Sequence, residues 1–222
     1  NNMNIASLIS FELPILSLQD SGDRAMQLMK EFRVFHLPLI QRDNYIALIS
    51  EDDLLDWDTP EEPLSLAEFI NFRPIVFENM HPYDAAKTAK EFNLSVIPIV
   101  DVHNHYLGMV SIEKLFEFMA ENNAVKENGA IIILQLEQRN YSLSEIARIC
   151  ESNDIIILSS SAKNIEHTGL LWVTLKINKN DTQALIATFE RFNYHLVDVF
   201  SNESSEQDIQ ENYHSLIHFL NM

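Results

Sequence analysis

Apolar residues recur at helical spacing at Ala25, Leu28, Met29 and Phe32, and a short apolar run, Leu37-Pro38-Leu39-Ile40, follows at once. The same succession returns as Ala85, Ala86, Ala89 and Phe92 followed by Val96-Ile97-Pro98-Ile99-Val100, at a constant offset of 60 residues. Beyond a polar turn (41–44; 101–105) comes a second run, Tyr45 to Ser50 and then Tyr106 to Ser111, now at offset 61. A second helix closes each copy, over 53–57 and 114–119. The pattern predicts two copies of a β-α-β-β-α unit within residues 9–119. One copy would leave a face of its small sheet bare, so the two are expected to pack as a single domain. Between them, Asp58-Thr59-Pro60-Glu61-Glu62-Pro63 reads as a linker, and a short helix is expected over Leu66 to Ile70.

After a polar linker at 122–129, the chain predicts strand (130–136), helix (144–151), strand (155–159), strand (170–177), helix (182–192) and strand (195–200). That order is the βαββαβ, split βαβ arrangement of ferredoxin-like folds. In 204–222, Ile209, Tyr213, Leu216, Ile217 and Leu220 sit at helical spacing, which predicts an acidic amphipathic helix.

Composition narrows the function. A net charge of −18 repels nucleic-acid phosphates and anionic membranes, so no nucleic acid and no membrane partner is expected. No stretch approaches a membrane span and the polar start is unlike a signal peptide, so a cytoplasmic protein is expected. The lone Cys150 falls on the apolar face of a helix and reads as a small core residue. With four glycines, no Gly-x-Ser-x-Gly, no His-Glu-x-x-His and no phosphate-cradling loop, no catalytic set is visible and no enzyme is expected. Asp101-Val102-His103-Asn104-His105 is the densest group of metal-ligand types, but a turn explains it and no metal is assigned.

The doubled Pro-containing runs (Leu37-Pro38-Leu39-Ile40; Ile97-Pro98-Ile99-Val100), each leading to Ser50-x-x-Asp53 or Ser111-x-x-Lys114, resemble a tandem CBS-domain pair. The pair spans residues 1–121, with repeat one at 3–58 and repeat two at 66–121. Residues 130–203 resemble an ACT domain, and the order of the two is similar to acetoin-utilisation-type CBS proteins. The fold class is thus α/β (α+β). The resemblance implies a non-catalytic, regulatory homodimer that senses an adenine nucleotide or adenosyl compound. The candidates are AMP, ADP, ATP and S-adenosylmethionine, with no cofactor required.

A strand running into a helix start favours a phosphate, to which Ser50 offers its hydroxyl, and Ser111 stands at the same place in the second copy. The resemblance places Asp53 at the ribose diol and Leu13, Ile15 and Leu37 in the first cleft, with Ile75 and Ile97 in the second, and His36 is a cation candidate for the first site. Arg33 and Arg42 are further cation candidates for the first site. The same Ser-x-x-Asp spacing is also that of a helix capping box, and the apolar positions are equally those of a core. The two copies are unequal: Ala47 stands where the second copy has Gly108, and Lys114 where the first has a carboxylate. Lys114 either meets an anion or points into solvent. The loop before the helix at 144–151 has no glycine, and Ser142-Leu143-Ser144-Glu145 fits a capping box. An alternative is a ligand-independent dimerisation scaffold whose sites are relics.

Overall fold

The computed structural model describes residues 4–201, which fold as two units, one ending at Phe118 and one beginning at Met119. In the first unit, helix α1 (Gly22–Phe32) begins where Ser21 Oγ accepts the Arg24 N–H at 3.2 Å and ends on Arg33 at a φ of 56°. Its counterpart α3 (Pro82–Phe92) starts with a proline, which loses no helical hydrogen bond there, and ends on Asn93 at a φ of 53°. Ala25, Leu28 and Met29 face inward from α1, as Ala85 and Ala89 do from α3.

Strand β1 (His36–Gln41) pairs antiparallel with β2 (Asn44–Ser50) through Arg42 and Asp43, both at positive φ as a tight two-residue hairpin turn requires. In the second copy, β4 (Val96–Val100) pairs with β5 (Tyr106–Ser111), and β3 (Val76–Phe77) adds in parallel to β4. The ladder shifts register between Leu39 and Ile40 in one copy and between Ile99 and Val100 in the other, so even the irregularity is repeated. The leading strand of the first copy is reduced to one bridge, Leu16 to Leu39, the counterpart of Val76 to Ile99.

Helix α2 (Glu51–Leu55) is short because Pro60 and its polar neighbours follow, whereas α4, with no proline after it, runs from Ile112 to Asn122, into the expected linker. The helix expected over Leu66 to Ile70 is instead a 3-10 turn at Leu64–Leu66. The backbone there is claimed by the first copy: Leu64 N–H donates to Asp20 O at 2.8 Å and Ser65 N–H to Leu18 O at 2.9 Å.

The copies meet about a pseudo-twofold axis. Tyr45 N–H donates to Asn104 O at 3.3 Å and the equivalent Tyr106 N–H to Asp43 O at 2.8 Å, while Glu51 N–H to Phe35 O and Ile112 N–H to Ser95 O repeat one bond in both copies. A single core results, with Leu37, Leu39, Ile49, Ile97, Ile99 and Val110 all excluded from solvent.

The second unit is one antiparallel sheet in the order β7-β8-β6-β9, with β6 (Ile131–Glu137), β7 (Ile157–Ile165), β8 (Leu170–Ile177) and β9 (His195–Phe200). Helices α5 (Leu143–Glu151) and α6 (Gln183–Arg191) complete the ferredoxin-like βαββαβ order. Ile132, Leu134, Val173 and Leu175 pack with Ile146, Ile149, Leu185 and Phe189, and Cys150 is fully buried among them. The helix expected over 204–222 lies outside the described residues.

Candidate functional site

Ser50 ends β2 and serves as N-cap of α2, because its extended backbone lets the hydroxyl accept the Asp53 N–H at 3.0 Å. Asp53 Oδ2 reciprocates, accepting Ser50 N–H at 3.1 Å and Ser50 Oγ–H at 2.6 Å. The capping box weighed from the sequence is therefore complete. Every one of these bonds uses Oδ2, so Oδ1 of the half-buried Asp53 takes no part in the cap.

The register sets His36 directly opposite Ser50, so the structure brings His36, Ser50 and Asp53 together at one end of the hairpin. His36 Nδ1 accepts the Ser95 N–H at 3.3 Å and lies 3.1 Å from Ser95 Oγ, which itself accepts the Phe35 N–H at 2.9 Å. Because Nδ1 accepts the Ser95 N–H, the tautomer that fits this contact is neutral with its proton on Nε2. Burial lowers the His36 pKa below its ordinary value, and the nearby Asp53 and Asp52 only partly offset this. Sequence reasoning did not single out Ser95; its only signal was that it stands where Phe35 stands in the first copy.

Arg42 is separated from this group, since it occupies the turn at the far end of the same hairpin. Arg33 is the exposed C-cap of α1. Leu37 has no accessible surface, so it belongs to the core and the structure does not bring it to the surface beside Ser50 and Asp53. Leu13 is half-buried, and Ile15, just before the Leu16 bridge, is 48% exposed.

In the second copy, Ile97 is likewise wholly buried, Ile75 is half-buried beside β3, and Ser111 Oγ accepts the Lys114 N–H at 3.2 Å. Lys114 Nζ turns to Glu117 Oε2 at 2.9 Å, so the lysine is held along the helix surface by a carboxylate one turn on. Another cation that the sequence did not flag, Arg73, donates from Nη2 to Tyr45 O at 3.0 Å and Asn104 Oδ1 at 2.9 Å, bracing the junction of the hairpins. Asp101 organises its own turn: Oδ1 accepts the His103 and His105 N–H groups, each at 2.8 Å, and Oδ2 meets His105 Nδ1 at 2.8 Å.

Residues 68–121 match the family model of the CBS domain. The match falls on the second copy. The first copy, which lies outside the matched residues, repeats the second copy's elements, its ladder irregularity and its Ser-capped helix. Solved structures give the same kind of likeness. One is CBSX2 in complex with AMP, 19% identical at a TM-score of 0.46 over 53% of this chain and 96% of that one. Another is a CBS domain pair/ACT domain protein from Thermotoga maritima, 18% identical at 0.46 over 54% and 98%. A third bears the acetoin utilization name AcuB and comes from Vibrio cholerae, 14% identical at 0.48 over 57% and 96%.

In the second unit, a cavity of about 560 Å³ opens beside the loop that precedes α5, lined by Gln135, Glu137, Asn140, Glu145, Tyr194 and His195 among others. The capping box expected there is only half made. Ser142 Oγ accepts the Glu145 N–H at 3.3 Å, but the Glu145 carboxylate turns away and accepts the Tyr194 hydroxyl at 2.8 Å. Burial and that carboxylate push the Tyr194 hydroxyl above its ordinary pKa. Among the described residues, no group of three metal-ligating side chains converges and no helix is long and apolar enough to cross a membrane.

Proposed function

We propose that the CBS pair is a regulatory, non-catalytic module that binds an adenine nucleotide or adenosyl compound in the cleft of the first copy. The carrying observation is Asp53: its Oδ2 is consumed by the cap while Oδ1 remains for a ribose hydroxyl, and Ser50 and His36 stand beside it. Lys114, tied to Glu117 at the equivalent place, supplies no such acceptor, so the first copy carries the affinity. Exposed apolar residues support a homodimer. Phe32 and Leu55 are exposed in the first copy and their counterparts Phe92 and Phe116 in the second, an apolar helix face repeated by the pseudo-twofold axis. Domain limits of 1–121 and 130–203 serve this reading, with the ferredoxin-like unit acting as the ACT-like partner that relays the bound state. A ligand acts here only through different affinities for two arrangements of the pair.

The test is a thermal-shift series with AMP, ADP, ATP, S-adenosylmethionine and amino acids on the protein and on Asp53→Ala. A ligand at a hundredfold excess over its Kd adds about 2.7 kcal/mol of stability. An adenosyl ligand that stabilises the parent and not Asp53→Ala supports the reading; equal stabilisation of both removes Asp53 from the site. A complete capping box favours a second reading, a ligand-independent scaffold, for which no compound shifts the transition.

A further inference from the structure

A strand that runs into a helix ordinarily offers free N–H groups to a phosphate, but at the start of α2 they are already engaged. Ser50 N–H is bonded to Asp53 Oδ2 at 3.1 Å, Glu51 N–H to Phe35 O at 2.9 Å and Asp53 N–H to Ser50 Oγ at 3.0 Å. Among the backbone donors that this helix start leaves over, only the Asp52 N–H lies outside that set. The Ser50 hydroxyl is taken as well, since it donates to Asp53 Oδ2 at 2.6 Å. The first turn is Glu51, Asp52 and Asp53, so carboxylates crowd the end of the helix where its dipole would attract an anion.

The surrounding side chains do not reverse the sign. His36 is neutral, with Nδ1 engaged by the Ser95 N–H at 3.3 Å, and the charges that act on it are the Asp53 and Asp52 carboxylates. Arg42 stands at the other end of the hairpin, and Arg33 is exposed on the C-cap of α1. The second copy engages its helix start in the same way: Ile112 N–H is bonded to Ser95 O at 3.0 Å and Lys114 N–H to Ser111 Oγ at 3.2 Å.

Given the ribose contact proposed for Asp53, we infer that the first cleft selects an adenosyl compound without phosphate, one whose 5′ substituent is uncharged or cationic, as in adenosine or S-adenosylmethionine. With the ribose on Asp53, a 5′-phosphate is only a few bonds away and meets the like charges of Glu51, Asp52 and Asp53, while a sulfonium there is attracted by the same carboxylates.

Isothermal titration calorimetry on the full chain with adenosine, S-adenosylmethionine, AMP and ATP tests this. Adenosine and S-adenosylmethionine are expected to bind about tenfold or more tightly than AMP, with ATP weaker still. Added salt is expected to narrow the gap, because it screens the repulsion between phosphate and carboxylates. Asp52→Asn is expected to strengthen AMP binding about threefold or more and to leave adenosine unchanged, with the melting of the unliganded variant showing that its fold is kept. AMP that binds as tightly as adenosine overturns the inference and leaves the adenosyl site standing; if Arg33→Ala then abolishes that binding, the guanidinium is what holds the phosphate. Binding of none of the four compounds overturns this inference and the adenosyl site together.

Discussion

Gly108→Ala isolates a demand that the fold places on one copy and not the other. Gly108 lies in β5 at a φ of 142°, and a Cβ there would sit 2.3 Å from Ile9 Cγ2 and 3.5 Å from Phe11 Cε1. Ile9 cannot withdraw freely, since Ser10 N–H is bonded to Met109 O at 2.9 Å and pins the N-terminal segment over this point. Two penalties add: holding a side chain at such a φ costs about 1–3 kcal/mol, and forcing Ile9 aside costs about 1–3 kcal/mol. Their sum, about 2–6 kcal/mol, lowers the melting of a unit this size by roughly 4 °C for each kcal/mol. Calorimetry on the full chain is expected to show the transition of the first unit falling by at least 8 °C or so, with that of the second unit in place. Ile9→Ala in the same background relieves the collision and leaves the backbone penalty, so it restores only part of the loss. The equivalent Ala47 is buried at ordinary φ, and Ala47→Gly is expected to cost about 1 kcal/mol rather than to relieve anything. A Gly108→Ala protein that melts with the parent would refute the reasoning.

Other predictions follow from the junction of the copies and from the second core. Ser95→Ala removes the acceptor of Phe35 N–H and a donor to His36 Nδ1, two bonds worth about 0.5–1.5 kcal/mol each; urea unfolding that shows no loss would discount the junction. Because the His36 pKa is lowered from 6.5 in the folded state, the unfolded chain takes up the proton first as pH drops. The His36 contribution is thus complete above 6.5 and lost as pH falls from 6.5 toward the lowered value; His36→Gln should flatten that limb, and a parent more stable on mild acidification would contradict the assignment. Burial pushes the Cys150 thiol up to about 11, so thiol reagents at neutral pH should label it only on unfolding, and prompt labelling of native protein would be inconsistent with its place in the core. Leu37→Ala, in the shared core, is expected to cost about 2–5 kcal/mol by equilibrium denaturation.

Much of this architecture was readable along the chain because it depends on local periodicity. Alternation and helical spacing do not change with context, so the two copies, their offset of 60 then 61 and the βαββαβ order of the second unit were all expressed in the residues themselves. The capping box at Ser50 was legible for the same reason, being a four-residue device. Its ambiguity was legible too, since one spacing serves a cap and a ribose contact alike. What failed was local structure decided by distant partners. In place of the expected helix at Leu66 to Ile70 there is a 3-10 turn at Leu64–Leu66 whose Leu64 and Ser65 N–H groups bond to Asp20 and Leu18, and the leading strand of the first copy is reduced to the Leu16 bridge with Leu39.

The sequence by itself determined the duplicated pattern, the strong acidity and the types of residue at the strand-to-helix junctions. Only the tertiary structure decided that His36 stands opposite Ser50 and is held neutral by Ser95, and that Arg42 lies at the wrong end of the hairpin to join them. It also decided that Glu145 serves Tyr194 instead of its own helix cap. The reason is one of range: a hydrogen bond between residues 36 and 95 depends on how two copies dock, and docking is set by the shape of a common core that no single stretch of sequence contains.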